Sequence, residues 1–135
     1  MGVNIWMVFE ALGPDKEGVE SSMEEHIRTL KNEKEIDVKS VEEEEVEEME
    51  DPHPEMDRGY SQVIEVKADF DTFQKAIETV INYGPTYVQM EGPDKYEMDL
   101  AEGQNTLQSI ATTMHQYAQM GAGGVLISKP SQDNS

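Results

Sequence analysis

The chain has no cysteine among its 135 residues. That excludes disulfides, thiolate metal sites and cysteine nucleophiles, and it fits a reducing compartment such as the cytoplasm. Bases are also scarce, with 10 Lys and Arg against 29 Asp and Glu, for a formal net charge of −19. A field of that sign repels phosphate backbones, so nucleic acid is not an expected partner. No apolar run approaches the roughly 18 residues that a membrane helix needs. The first residues, Met1-Gly2-Val3-Asn4-Ile5-Trp6, carry no basic stretch ahead of an apolar one. The expectation is a soluble cytoplasmic protein with no membrane partner.

Catalytic strings are missing as well. His26, His53 and His115 are scattered, and no His-Glu-x-x-His, Gly-x-Ser-x-Gly or phosphate-loop string occurs. Carboxylates are too abundant for any pair to stand out as an acid/base couple. No catalytic residue, metal or cofactor is expected, and the chain is read as a non-enzyme.

The acidity is concentrated. Residues 42–57 hold ten acids and no Lys or Arg, so the other 119 residues carry only −9. Like charges this dense resist packing, and Pro52 and Pro54 interrupt pairing, so residues 42–58 are expected to form an extended, solvated loop. Such a loop could dock on a basic protein partner.

The rest of the chain is patterned. Residues 4–12 are apolar on both alternating faces, as in a strand covered on both sides. Val19, Met23, Ile27 and Leu30 recur at spacings of 4, 4 and 3 and predict a helix over 16–33. Asp15 can cap its start, although Ser22 with Glu25 forms a competing capping box. Residues 36–41 and 60–68 alternate as strands. Asp71 with Gln74 predicts the cap of a second helix, with Phe73, Ile77, Val80 and Ile81 buried and Gly84-Pro85 as its stop. Residues 86–91 form a fourth strand with Val88 and Met90 inward. Asp99 caps a third helix reaching about residue 120, with Leu100, Leu107, Ile110, Ala111, Met114, Tyr117 and Ala118 as its apolar stripe. Gly121-Ala122-Gly123-Gly124 ends that helix, a short strand covers 125–127, and 130–135 is expected to be a disordered tail.

This order predicts one α+β domain over residues 1–135. Residues 4–91 are expected to form a ferredoxin-like βαββαβ core, with an antiparallel sheet and two helices on one face. The extra C-terminal helix and short strand occupy 99–127.

One string has a family likeness. Leu12-Gly13-Pro14-Asp15-Lys16-Glu17-Gly18-Val19 joins the first strand to the first helix. It resembles the Gly-Pro-Asp-Arg-Pro-Gly-Ile signature that opens many ACT domains, with Glu17 where that signature has its second proline. The element order over 4–91 is similar too. The resemblance implies a regulatory module that binds an amino acid or small metabolite at this turn, commonly at a subunit interface. Its ligand-binding positions would be Gly13, Asp15, Gly18 and Val19. The physics of the turn is compatible, because a helix N-terminus offers free N–H donors to a carboxylate. The same Gly-Pro-Asp-Lys string recurs at residues 92–95, which is equally the mark of an ordinary capped turn.

The expected function is therefore a non-catalytic regulatory or adaptor module, a homo-oligomer, binding a small-molecule ligand or a protein partner. Two other readings stand beside it. One is an acidic docking or nucleic-acid-mimicking protein acting through 42–57. The other is a small enzyme with its site at a subunit interface.

Overall fold

Both faces of the first strand, β1 (Val3–Gly13), carry apolar side chains, and the computed structural model shows how each is used. The structure describes residues 2–53 and 56–119, the side chains of 51–58 excepted. Val3, Ile5, Met7 and Phe9 are buried, whereas Trp6 and Val8 on the opposite face are half-buried. Trp6 keeps its indole N–H satisfied by donating to Glu65 Oε1 at 3.0 Å. Its ring meets Tyr87 edge-on, with centroids 5.3 Å apart.

The described elements, in chain order, are β1, α1 (Lys16–Lys31), β2 (Ile36–Glu43), β3 (Glu47–His53), β4 (Met56–Phe70), α2 (Phe73–Tyr83), β5 (Tyr87–Gly92) and α3 (Leu100–Gln119). The fold is α+β, with an antiparallel sheet in the order β2-β4-β1-β5 and β3 paired to β4. The chain divides into two compact units, Met1–Glu97 and Met98–Ser135.

In the first unit the register lines up the core. Ile5 faces Ala68, Met7 faces Val66 and Phe9 faces Ile64 across β1 and β4. These residues pack with Met23, Ile27 and Leu30 of α1 and with Ala76 of α2 in one cluster. Each large side chain buried there contributes about 1.5–3 kcal/mol relative to exposure. The α1 stripe is therefore as its spacing predicts, and α1 starts at the Asp15 cap rather than at Ser22.

Four expectations change. The acidic segment is not an open loop. β3 pairs with the first half of β4, from Glu47↔Ser61 to His53↔Met56. Ser61 and Tyr60 already pair with Leu12 and Gly13 of β1 on one side, so β3 must lie on the other, in line with β2. Backbone pairing lets the acids whose side chains are described keep their water: Glu42, Glu43, Glu44, Glu45, Glu47, Glu48 and Glu50 are all exposed. The joint between β2 and β3 is held by Glu44 N–H to Val63 O at 3.0 Å and by Gln62 Nε2 to Glu44 O at 3.1 Å. Pro52 is accommodated because β3 is an edge strand, and the register slips between Glu50 and His53.

The cap of α2 is Thr72, whose side chain accepts from Lys75 N–H at 3.0 Å, and not Asp71. Asp71 instead donates its backbone N–H to Glu35 O. Gly84, at φ 61°, ends this helix in the left-handed region that suits glycine.

The buried residues of α2 are Ala76 and Thr79, while Phe73, Ile77, Val80 and Ile81 are only half-buried. Small side chains let the helix sit close to the sheet, and the bulky ones flank it above the edge strand. Val88 and Met90 point toward α2 as expected but remain 37% and 47% exposed, since β5 is an edge strand that pairs only with β1 among the described residues.

The second unit contains α3. Asp99 caps it as predicted, accepting from Glu102 N–H at 2.8 Å. Its predicted stripe is not buried as a stripe, since Leu100, Leu107, Ala111 and Met114 are exposed. The glycine stop at 121–124, the strand at 125–127 and the tail at 130–135 lie outside the described residues. No described helix is long and apolar enough to cross a membrane.

Candidate functional site

The turn singled out by sequence brings Gly13, Asp15, Gly18 and Val19 together as two internal pairs. Asp15 Oδ1 accepts from Gly18 N–H at 2.6 Å, closing the first turn of α1. A Cβ on residue 18 would stand 3.0 Å from that oxygen, so glycine is what lets the carboxylate come down onto the helix end. A Cβ on residue 13 would stand 3.0 Å from Val19 Cγ2, and Val19 itself is buried. The helix N-terminus thus already holds a carboxylate of its own, with exposed Glu17 beside it. An incoming carboxylate would meet two like charges there.

A larger concavity lies between α1 and the C-terminal end of α2. Ser22, His26 and Tyr83 line both of its lobes. The outer lobe, about 740 Å³, adds Ser21, Glu25, Thr29, Glu33 and Asn82. The inner lobe, about 220 Å³, adds Phe9, Glu10, Ala11, Met23 and Gly84.

His26 is the pivot of the groove. Its ring sits edge-on to Phe9 at 5.3 Å and tilted against Tyr83 at 5.0 Å. Its Nε2 lies 2.9 Å from Tyr83 O. A carbonyl only accepts, so Nε2 must carry the proton. That fixes the ring orientation and makes Nδ1 an acceptor in the neutral imidazole. No group among the described residues pairs with Nδ1, which is therefore available for a ligand.

Below the pivot, Glu33 ties the two helices together. Tyr83 O–H donates to its Oε2 at 2.7 Å, and Lys75 Nζ donates to its Oε1 at 3.0 Å. The Tyr83 hydroxyl first, then Lys75, hold the Glu33 carboxyl below the usual carboxylate range. Burial, reinforced by Glu33, pushes the Tyr83 hydroxyl well up, so it stays a donor. A lowered carboxyl stabilises the folded state above its unfolded value, and the contribution is lost as pH falls through the folded one. Tyr83→Phe should therefore cost about 1 kcal/mol near neutral pH, below the usual value for a hydrogen bond to a charge because Glu33 is part-exposed and solvent screens it. Urea denaturation should show that loss shrinking as the carboxyl titrates. An equal loss at acid and neutral pH would contradict this account.

Sequence reasoning missed His26, Tyr83, Glu33 and Lys75. His26 and Tyr83 are 57 positions apart and meet only through the fold. The one available signal was a histidine beside the apolar stripe of α1. Among the described residues, no three His, Asp or Glu side chains stand together in a way that could hold a metal ion.

The surface beside β5 has another character. A groove of about 230 Å³ runs between α2 and β5, lined by Ile5, Phe73, Ala76, Ile77, Val80, Ile81, Val88 and Met90.

Comparison with curated proteins finds no match, and neither does comparison with solved structures. A family model does match, over residues 4–133, nearly the whole chain. The chain belongs to the MJ0538 family.

Proposed function

We propose that this chain is a non-catalytic, ACT-like binding module on a ferredoxin-like frame, which takes a small amino-acid-like metabolite in the groove between α1 and α2. The frame is supported by counting in-line β2 and β3 as one interrupted strand. The order is then β-α-β-β-α-β, with strands arranged second, third, first, fourth and both helices in the same core.

The observation that carries the ligand reading is His26, half-buried, oriented through Nε2 and open at Nδ1 within a groove of small-molecule size, roughly 300–1,000 Å³. The lining suits a zwitterion. Ser21, Ser22 and Asn82 offer donors to a carboxylate, Glu25, whose Oε1 holds Arg28 at 2.8 Å, offers its Oε2 to an ammonium, and Phe9 and Met23 offer an apolar floor. The turn at Gly13–Val19 is the weaker position, because Asp15 already takes the Gly18 N–H that a ligand carboxylate would use. The acidic edge gives no second reading, since a solvated charge run supplies solubility without a ligand.

Thermal-shift measurements with the common amino acids as probes test this. A ligand at 100 times its Kd adds about 2.7 kcal/mol of stability, a rise of several degrees. His26→Ala should abolish the rise, and Asp15→Ala should keep it. No rise with any probe, or an equal rise in His26→Ala, would sink the groove reading.

A further inference from the structure

A sheet has two outer edges, and this one treats them differently. The β2–β3 edge carries the acidic run, and a row of like charges is how a protein keeps an edge from pairing. The β5 edge has no such guard. Its strand reads Tyr87-Val88-Gln89-Met90-Glu91-Gly92, uncharged until Glu91. Tyr87, Val88 and Met90 are all substantially exposed, and the outer side of β5 pairs with no strand among the described residues.

We infer that β5 pairs antiparallel with β5 of a second copy of this chain, in the register that places Gln89 opposite Gln89 of the second copy. Two observations select a second copy. The first is charge. A chain of −19 repels itself, so copies meet at least cost where the acidic run of residues 42–57 is remote. Across four strands the acidic edge stands three spacings, about 14 Å, from β5. In the joined sheet the two acidic edges end seven spacings apart, about 34 Å, or some four Debye lengths at physiological salt. Pairing through the β2–β3 edge would set the same acids face to face.

The second is self-complementarity. Even-numbered residues of β5 point to the α2 side, as Met90 opposite Ile5 and Val88 opposite Met7 show. A two-fold axis at Gln89 sets Val88 against Met90 twice on that face, extending the apolar groove across the axis. On the other face it sets Tyr87 against Glu91, which already lies 3.8 Å from Lys67. No like charges meet at any position of the strand, and the contact is isologous and closed. This inference does not depend on the α1–α2 groove.

The missing cysteines make the test clean. The wild type should run at twice 15.2 kDa by light scattering at micromolar concentration. Gln89→Glu, at an exposed position, places two carboxylates opposite each other and should run as a monomer with an unchanged circular dichroism spectrum. Gln89→Cys should oxidise to a covalent dimer, and Leu12→Cys, also exposed but off the axis, should not. A monomeric wild type would overturn the inference. So would a dimer that Gln89→Glu leaves intact or in which Gln89→Cys fails to cross-link.

Discussion

Ala76→Asp is expected to cost about 3–5 kcal/mol at pH 7 and much less near pH 4. Ala76 is 2% exposed and belongs to the main core, at the foot of α2. A carboxyl there loses its water, and burial raises its pKa by up to about 3–5 units, at about 1.4 kcal/mol per unit. The folded form then binds a proton that the unfolded chain has released above about pH 4. Stability therefore falls as pH rises from that point toward the raised value. Ile77→Asp, one residue on, faces the open groove beside β5, where water reaches it. Its loss should stay under about 2 kcal/mol and change little with pH. Urea denaturation at the two pH values measures both. Equal losses would mean that the helix is rotated from the orientation described.

Phe70→Ala should be nearly as severe, at about 3–5 kcal/mol. Phe70 is 1% exposed and stands where three strands meet, opposite Val3 of β1 and Ile36 of β2. Its removal opens a cavity that none of the three can close without losing register. Against a typical total of about 5–15 kcal/mol, that loss would leave a large unfolded fraction. Leu12→Ala, at 45% exposure, should cost only about 0.5 kcal/mol. A small effect at Phe70, or a comparable one at Leu12, would contradict the assignment of the core face.

These two contrasts mark what could be read from the residues. The α1 stripe was legible because spacing and burial coincide: all four of Val19, Met23, Ile27 and Leu30 are buried. The α2 stripe was legible as apolar but not as exposed. Periodicity identifies a face, while burial depends on what stands opposite, and opposite Ile77 and Ile81 is an edge strand. The acidic run misled for a related reason. Charge repulsion forbids packing of side chains but not pairing of backbone, and β4 is long enough, at 15 residues, to pair with both β2 and β3. The turn at residues 13–19 was placed correctly between strand and helix. Its sequence could not reveal that Asp15 would take up the Gly18 N–H itself. The groove was illegible because His26, Glu33, Lys75 and Tyr83 come from three separate stretches of chain.

The central claim is that a ligand binds between α1 and α2 and not at the turn. Backbone amide shifts of the isotope-labelled chain, recorded with the amino acid that stabilises it most, test that directly. The account predicts movement at Ser21–His26 and Asn82–Gly84, with the Lys16–Val19 amides unmoved. Shifts confined to Lys16–Val19, or none in either segment, would contradict it.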